Sequence, residues 1–130
     1  KNILQKEGFK TEHKGKNLIM SYGNNPTFGF LGHTDTVEYI DEWNTNPFIL
    51  TKKNNKLYGL GVCDMKSGIA AILEAILCID LSKIKNGIKL YFTYDEEIGF
   101  SGIHDIIKNS SIPYFTLTFP PIFDTIYFNQ

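Results

Sequence analysis

The chain has 130 residues, of which 42% are hydrophobic and 21% are charged, and its formal net charge is -1. This composition is typical of one soluble globular domain, and the absence of a basic stripe gives no support for nucleic-acid binding. The longest apolar run, residues 69–79, is interrupted by Glu74 and is too short to span a membrane. No signal peptide is visible and two cysteines do not make a disulfide framework, so we expect a cytoplasmic protein without membrane contact.

Strands and helices alternate along the sequence. The longest predicted helix covers residues 66–79, where apolar side chains recur at three- and four-residue spacing and form one stripe. The stripe consists of Ile69, Ile72, Leu73, Ile76 and Leu77. The other predicted elements are a helix end at 2–9, strands at 17–22, 27–31 and 88–94, a hairpin turn at 52–56 and a second helix at 101–108. Because strand, long helix and strand are typical of a right-handed crossover, we predict an α/β fold with a mixed, mostly parallel sheet flanked by helices.

Three polar clusters lie at strand-to-loop junctions, where open α/β sheets bind their ligands. His33 and Asp35 follow the strand at 27–31, Asp64 precedes the long helix, and Asp95, Glu96 and Glu97 follow the strand at 88–94. An imidazole with several carboxylates suits zinc or a similar divalent ion. A bound cation would also offset the repulsion among three adjacent acids. The clusters therefore predict a metal site.

The spacing within the clusters suggests separate roles. His33 and Asp35 share one side of an extended backbone, so Asp35 can hold one imidazole nitrogen while the other faces a metal. Asp64 has two carboxylate oxygens and could bridge two ions. Adjacent Glu96 and Glu97 cannot share a face of a regular strand, so the chain must bend there. One of them could then bind metal while the other acts as a general base.

Each cluster has a simpler interpretation when it is taken alone. The His-Thr-Asp triplet could be a surface turn, Asp64 a helix N-cap, and the three acids a solvated loop. Their shared position at junctions of the sheet favours a site. The other histidines, His13 and His104, are predicted to lie on the surface. Cys63 and Cys78 are predicted to pack as small apolar side chains, although Cys63 adjoins the site.

Three motifs resemble the M20 metallopeptidases and deacylases in order and spacing, most closely the acetylornithine deacetylases. They are "GHTDTVE", "KLYGLGVCDMKSGIAA" and "YDEEIGFSG". The resemblance implies that residues 1–130 are part of a zinc-hydrolase catalytic domain of the phosphorylase/hydrolase-like kind, with the lid domain absent. It implies that His33 binds one metal, Asp35 orients His33, Asp64 bridges two ions, Glu96 is the general base and Glu97 binds the second metal. It further implies a cis peptide after Asp64, and Zn²⁺ as the metal, with Co²⁺ or Mn²⁺ as alternatives.

The activity that the resemblance implies is hydrolysis of a small N-acyl amino acid in arginine biosynthesis. Two ions would activate a bridging water, and Glu96 would take its proton and return it to the departing amine. Family members dimerise through the lid domain. A succinyl-diaminopimelate desuccinylase and an M20 dipeptidase stay open as alternatives, because specificity residues of the family lie mostly outside this sequence.

The end of the sequence departs from the family pattern. By alignment Pro120 takes the place of a glutamate ligand, and the sequence stops before the family's last histidine ligand. Each ion would keep two protein ligands where catalytic zinc normally has three, so we expect weak metal binding and little turnover from these residues alone. A non-catalytic remnant acting as an interaction module is the alternative of another class. A two-metal phosphoesterase would need Lys66 as its phosphate-binding cation.

Overall fold

The computed structural model describes residues 1–109, 112–113 and 115–118. Its helices are α1 (Asn2–Lys6), α2 (Ser67–Cys78) and α3 (Ser101–Asn109). Its strands are β1 (Lys10–Lys14), β2 (Asn17–Tyr22), β3 (Phe28–His33), β4 (Thr51–Lys53), β5 (Lys56–Tyr58), β6 (Ile88–Thr93) and β7 (Phe115–Thr118). Within these residues, no helix has the length and apolar character needed to cross a membrane.

Five strands form one mixed sheet in the order β1-β2-β6-β3-β7. β6 pairs in parallel with β3 and antiparallel with β2, and β7 pairs in parallel with the other edge of β3. The predicted crossover from β3 through α2 to β6 is confirmed, as is the α/β class with a mixed sheet. Among the described strands of this sheet, two pairings are parallel and two are antiparallel, and β4 and β5 form a separate antiparallel pair. The parallel pairing matters for the site because it puts the carboxyl ends of β3 and β6 at the same edge.

Helices cover both faces of the sheet. One face packs on α1 and α2 through a cluster of buried apolar side chains: Leu4, Phe9, Met20, Ile72, Ile76, Ile88 and Leu90. The other face packs on α3, where Ile106 contacts Ile19 of β2 and Tyr91 of β6. Neighbours such as Ile19 and Met20 serve opposite faces because side chains alternate along a strand. The sheet is thereby a rigid platform for the loops at its edge.

Several details of the fold differ from the sequence-based predictions. β1 was not predicted because its residues are mostly charged, as is common on the edge of a sheet. Leu77 and Cys78 are both exposed, so the buried stripe of α2 is narrower than predicted. Cys78 follows Ile76 by two residues, which is about 200° around a helix and places it on the far side.

Other predictions concern single side chains. His13 and His104 are exposed, as predicted. Cys63 is also exposed, so its predicted packing role is wrong; it lies in the turn before α2 and not on the buried side of a helix. The predicted replacement of a ligand by Pro120 lies outside the described residues, and so does most of the aromatic tail.

Candidate metal centre

His33 is the last residue of β3, and only 3% of its surface is exposed. It lies opposite Thr93 in the register of the parallel pair. Beyond it, the main-chain N–H and the hydroxyl of Thr34 both donate to the carbonyl of Thr93, each at 2.9 Å. These bonds hold the ends of β3 and β6 together. The loops that follow the two strands therefore start side by side.

The segment Val62–Lys66 brings a carboxylate to this edge of the sheet. It leads into α2, but the backbone at Asp64 and Met65 is not helical, and the bond between them is cis, as the family resemblance implied. Met65 is buried under the end of β3, where its Sδ accepts the N–H of His33 at 3.2 Å. A Cβ at Gly32 would come within 2.8 Å of the Met65 methyl carbon. Glycine at this position therefore lets the segment pack closely enough for Asp64 to reach His33.

Both ring nitrogens of His33 face oxygen atoms. Nε2 lies 2.8 Å from Oδ1 of Asp64 and 3.9 Å from Oε2 of Glu96. Nδ1 bonds to the main-chain carbonyl of Asp35 at 3.2 Å, while the carboxylate of the same residue is 3.6 Å away. Sequence reasoning expected the Asp35 side chain to hold the ring. In the structure the closer contact comes from its main chain.

The acidic loop after β6 closes the site. The predicted bend is present: Asp95 has φ 61 and residues 96–99 form a turn. Because of this turn, the side chains of the adjacent Glu96 and Glu97 both come close to His33. Each of His33, Glu96 and Glu97 offers one ligand atom, and these atoms lie within 4.8 Å of one another. Oδ2 of Asp35 accepts the main-chain N–H of Glu97 at 3.2 Å, which joins the loop after β3 to the loop after β6.

Electrostatic coupling links these residues. Burial by itself lowers the pKa of His33, but the hydrogen bond and charge of Asp64, with the charge of Glu96, outweigh it, so the pKa of His33 is raised. The pKa of Glu97 is also raised, first by burial and then by Asp64, against a smaller opposing effect of His33. Negative charge at the edge of the sheet contributes to both shifts, although burial is the larger cause for Glu97. A site of this kind binds protons or cations.

The donor set fits a divalent cation. It combines one imidazole with carboxylate oxygens, the ligand types that zinc and similar ions take. Oδ1 of Asp35 is buried and accepts no hydrogen bond, which adds to the unbalanced negative charge. In the described part of the chain no lysine pairs with these carboxylates. Lys66 donates instead to the carbonyl of Leu60 at 2.9 Å, so the phosphoesterase alternative gains no support from it.

Sequence reasoning also missed the contributions of the Glu97 main chain and of Met65. The main-chain N–H of Glu97 contacts Asp35, and no sequence signal could have found it because every residue except proline carries such a donor. Met65 supports His33 from below. Its position directly after Asp64 was visible in the sequence, but nothing indicated that a buried thioether would face the histidine.

Comparisons with known proteins indicate the family of the chain. The model of the family described as peptidase family M20/M25/M40 matches residues 29–124. The acetylornithine deacetylase of Buchnera aphidicola subsp. Schizaphis graminum is 45% identical over 98 residues, covering 74% of this chain and 26% of that protein. The succinyl-diaminopimelate desuccinylase of Orientia tsutsugamushi (strain Ikeda) is 43% identical over 108 residues, covering 74% of this chain and 28% of that protein.

Solved structures show the same fold. Human carnosine dipeptidase 1 superposes with a TM-score of 0.69 over 82% of this chain and 27% of that chain, at 23% sequence identity. A tripeptidase from Staphylococcus aureus superposes with a TM-score of 0.63 over 90% of this chain and 35% of that chain, at 22% sequence identity. At such identities the likeness concerns the fold alone. The chain spans about a quarter of the length of the two curated relatives named above.

Proposed function

The chain belongs to the peptidase family M20/M25/M40, and we propose that residues 1–130 form part of the catalytic domain of a metal-dependent hydrolase that cleaves N-acyl amide bonds. The observation that carries the proposal is the convergence of one imidazole and several carboxylates from three separate segments. The ligand atoms of His33, Glu96 and Glu97 lie within 4.8 Å of one another, and Asp64 bonds to His33 at 2.8 Å. Alone, each segment had a simpler interpretation; together they support a metal centre.

We assign His33, Asp64 and Glu97 as the residues that hold the metal, as the resemblance implies; the group of atoms within 4.8 Å contains Glu96 in place of Asp64, which lies 2.8 Å from His33. Zinc suits this mixture of nitrogen and oxygen donors, with Co²⁺ or Mn²⁺ as alternatives, and the two oxygens of Asp64 allow it to serve two ions. When bound, the metal supplies Lewis acidity toward the scissile carbonyl and toward water. Asp35 holds the site together, because it contacts the ring of His33 and the main chain of Glu97.

Glu96 is the proposed general base. About a third of its side chain is exposed (37%), so water and substrate can reach it, and its Oε2 lies 3.9 Å from Nε2 of His33. In the proposed reaction Glu96 takes a proton from the attacking water and later gives it to the amine nitrogen as the C–N bond breaks. The second proton of the water stays on the new carboxyl group and passes to the amine when the products ionise, so the products are a carboxylate and an ammonium group, and Glu96 ends as it began.

The proposed substrate is a small N-acyl amino acid, N-acetylornithine in the first instance, which would place the enzyme in arginine biosynthesis in the cytoplasm. The 45% identity to an acetylornithine deacetylase supports this choice. The 43% identity to a succinyl-diaminopimelate desuccinylase keeps the succinyl substrate as the second candidate. The whole activity is proposed for a protein that contains this segment together with the other parts of its relatives. The residues 1–130 alone are expected to turn over little substrate.

A pair of chimeras tests the proposal. In the first, residues 29–113 of this chain replace the matching part of the Buchnera aphidicola deacetylase, so that the host's own residues follow before the position of Pro120. Release of free amine from N-acetylornithine and from N-succinyl-diaminopimelate is then measured with zinc present. We expect hydrolysis of the acetyl substrate, and its loss in the same chimera carrying E96Q. A folded chimera that binds zinc without hydrolysing either substrate would instead support the non-catalytic remnant.

The second chimera carries residues 29–124 and therefore includes Pro120. If that proline removes a metal ligand, as the alignment implies, this chimera should bind zinc more weakly and hydrolyse the substrate more slowly than the first. Restoring glutamate by Pro120→Glu should return both properties. Equal activity of the two chimeras would show that position 120 does not supply a ligand.

A further inference from the structure

Asp95 differs from the two acids that follow it. Its backbone is left-handed, with φ 61, a conformation that aspartate and asparagine tolerate better than most residues. Its carboxylate turns toward the start of α3, where Oδ2 accepts the N–H of Ser101 at 3.3 Å and also the Ser101 hydroxyl. The first acid of the three therefore satisfies a helix N-terminus, which leaves the next two for the site.

The main chain of Asp95 closes the acidic loop into a ring. Its carbonyl accepts the N–H of Phe100 at 2.6 Å and the N–H of Gly99 at 3.2 Å. A Cβ at Gly99 would come within 2.8 Å of Oδ2 of Asp95, so a larger residue at this position would require the Asp95 carboxylate to shift. Glu96 and Glu97 are part of the loop that these main-chain hydrogen bonds close.

We propose that Asp95 is a positioning residue for the metal centre: its bonds to Ser101 and its left-handed backbone fix the main chain from which Glu96 and Glu97 reach His33. The inference rests on the proposed function, because it concerns the same site. It adds a residue that touches neither substrate nor metal and acts through the loop. The consequence is that the loop is formed before any ligand arrives.

A neighbouring contact offers a matched control. The hydroxyl of Tyr94 donates to Oδ2 of Asp105 at 2.9 Å, which also ties the end of β6 to α3. This bond lies beside the ring and takes no part in closing it. Tyr94→Phe should therefore loosen the helix without opening the loop, whereas Asp95→Ala should open the loop.

The first test uses the chain stripped of metal by a chelator. Amide hydrogen exchange at Gly99 and Phe100, the two donors to the Asp95 carbonyl, is followed by NMR in the wild type and in D95A, D95N and Y94F. We expect exchange roughly tenfold faster in D95A and little changed in D95N, because asparagine keeps both an acceptor and the left-handed backbone. S101A removes only the hydroxyl, so its exchange rates should lie between those of D95A and D95N. This variant provides the test if D95A does not fold. Unchanged rates in D95A and S101A would overturn the inference.

The second test measures zinc affinity of the same proteins by competition with a chromogenic chelator. D95A should bind zinc about 10- to 100-fold more weakly than the wild type, as is usual when a residue that supports metal ligands is lost. D95N and Y94F should stay close to the wild type. Wild-type affinity in D95A, or an equal loss in Y94F, would overturn the positioning role. If the wild-type chain binds zinc too weakly to measure, the same variants are compared in the chimera that carries residues 29–113. A wild-type chimera that binds no zinc would contradict the proposed function, and the exchange rates would then decide alone whether Asp95 shapes the loop.

Discussion

Nε2 of His33 and Oδ1 of Asp64 lie 2.8 Å apart, so two residues proposed as metal ligands are also hydrogen-bond partners. The bond raises the pKa of His33 against the opposing effect of burial. The ring in the folded chain therefore holds its proton more tightly than a histidine side chain exposed to water. A ring nitrogen that carries a proton cannot bind a metal. Proton and metal therefore compete for the same position.

The first prediction follows from this competition. Zinc affinity of the chain should rise most steeply with pH below the raised pKa of His33, where the ring carries a proton that zinc must displace, and should level off above that pKa. Calorimetric titration in buffers of different ionisation enthalpy should show net proton release on zinc binding. The release should become smaller as the pH rises through the raised pKa of His33. Binding without proton release at pH 6.5 or below would contradict the prediction.

The second prediction concerns stability without metal. The pKa of His33 and that of Glu97 are both raised, so the folded state binds these protons more tightly than the unfolded state. Their stabilising contributions are complete below the unfolded pKa values and are lost as pH rises through the folded ones. The loss begins above 4.5 for Glu97 and above 6.5 for His33. With chelator present, thermal midpoints should therefore fall from about pH 5 to about pH 8 because of these groups.

Two variants isolate the groups behind that fall. H33Q removes the contribution that is lost above 6.5, so its midpoint should change less with pH in that range than the midpoint of the wild type. H13Q changes a histidine that is exposed on β1 and should follow the wild type. If H33Q and H13Q showed the same pH dependence, the hydrogen bond with Asp64 would not be its cause.

The third prediction concerns Asp35, which the sequence indicated as a partner of His33. Its carboxylate accepts the N–H of Glu97 and lies 3.6 Å from the His33 ring, so it connects two loops that carry proposed ligands. D35A should weaken zinc binding by about 10- to 100-fold, the usual effect of removing a group that orients ligands. E38A alters an exposed acid in the same loop and should leave the affinity unchanged. Equal losses in both variants would indicate only a general charge effect.

The fold could be predicted where side-chain patterns decide it. β3, α2 and β6 have apolar patterns strong enough to predict a crossover, and the parallel register confirms it. β1 could not be predicted, because the main-chain bonds to β2 decide its conformation and its side chains are mostly charged. The exposure of Leu77 depends on how α2 rests on the sheet, which a helical stripe does not specify.

The site could be predicted in position but not in detail. Parallel strands bring their carboxyl ends to one edge, so polar residues after β3 and β6 were expected to meet. The ring closed by Asp95 was not expected, since three adjacent acids do not show which one turns toward a helix. The contact of Nδ1 with the Asp35 carbonyl was also missed, because main-chain partners leave no trace in a sequence. Such details depend on backbone geometry.

The last prediction tests how closely β3 must approach the segment that carries Asp64. A Cβ added at Gly32 would meet the Met65 methyl carbon at 2.8 Å and Ile69 at 3.2 Å, so G32A should lower the free energy of unfolding by about 1–3 kcal/mol, as overpacked cores do. Urea denaturation of the chain with chelator present measures this. Because Met65 also accepts the N–H of His33, zinc affinity should fall as well.

A double-mutant cycle with M65A gives the control. M65A alone leaves a cavity, but it removes the atoms that a new Cβ would meet, so the loss of stability in G32A/M65A should be smaller than the sum of the two single losses. For zinc affinity, the loss in G32A/M65A should be only partly smaller than the sum of the two single losses. The reason is that Met65 itself positions Asp64 against His33, so M65A weakens the site directly. Strictly additive losses of stability would show that the close approach of Gly32 to Met65 is not what requires glycine at this position.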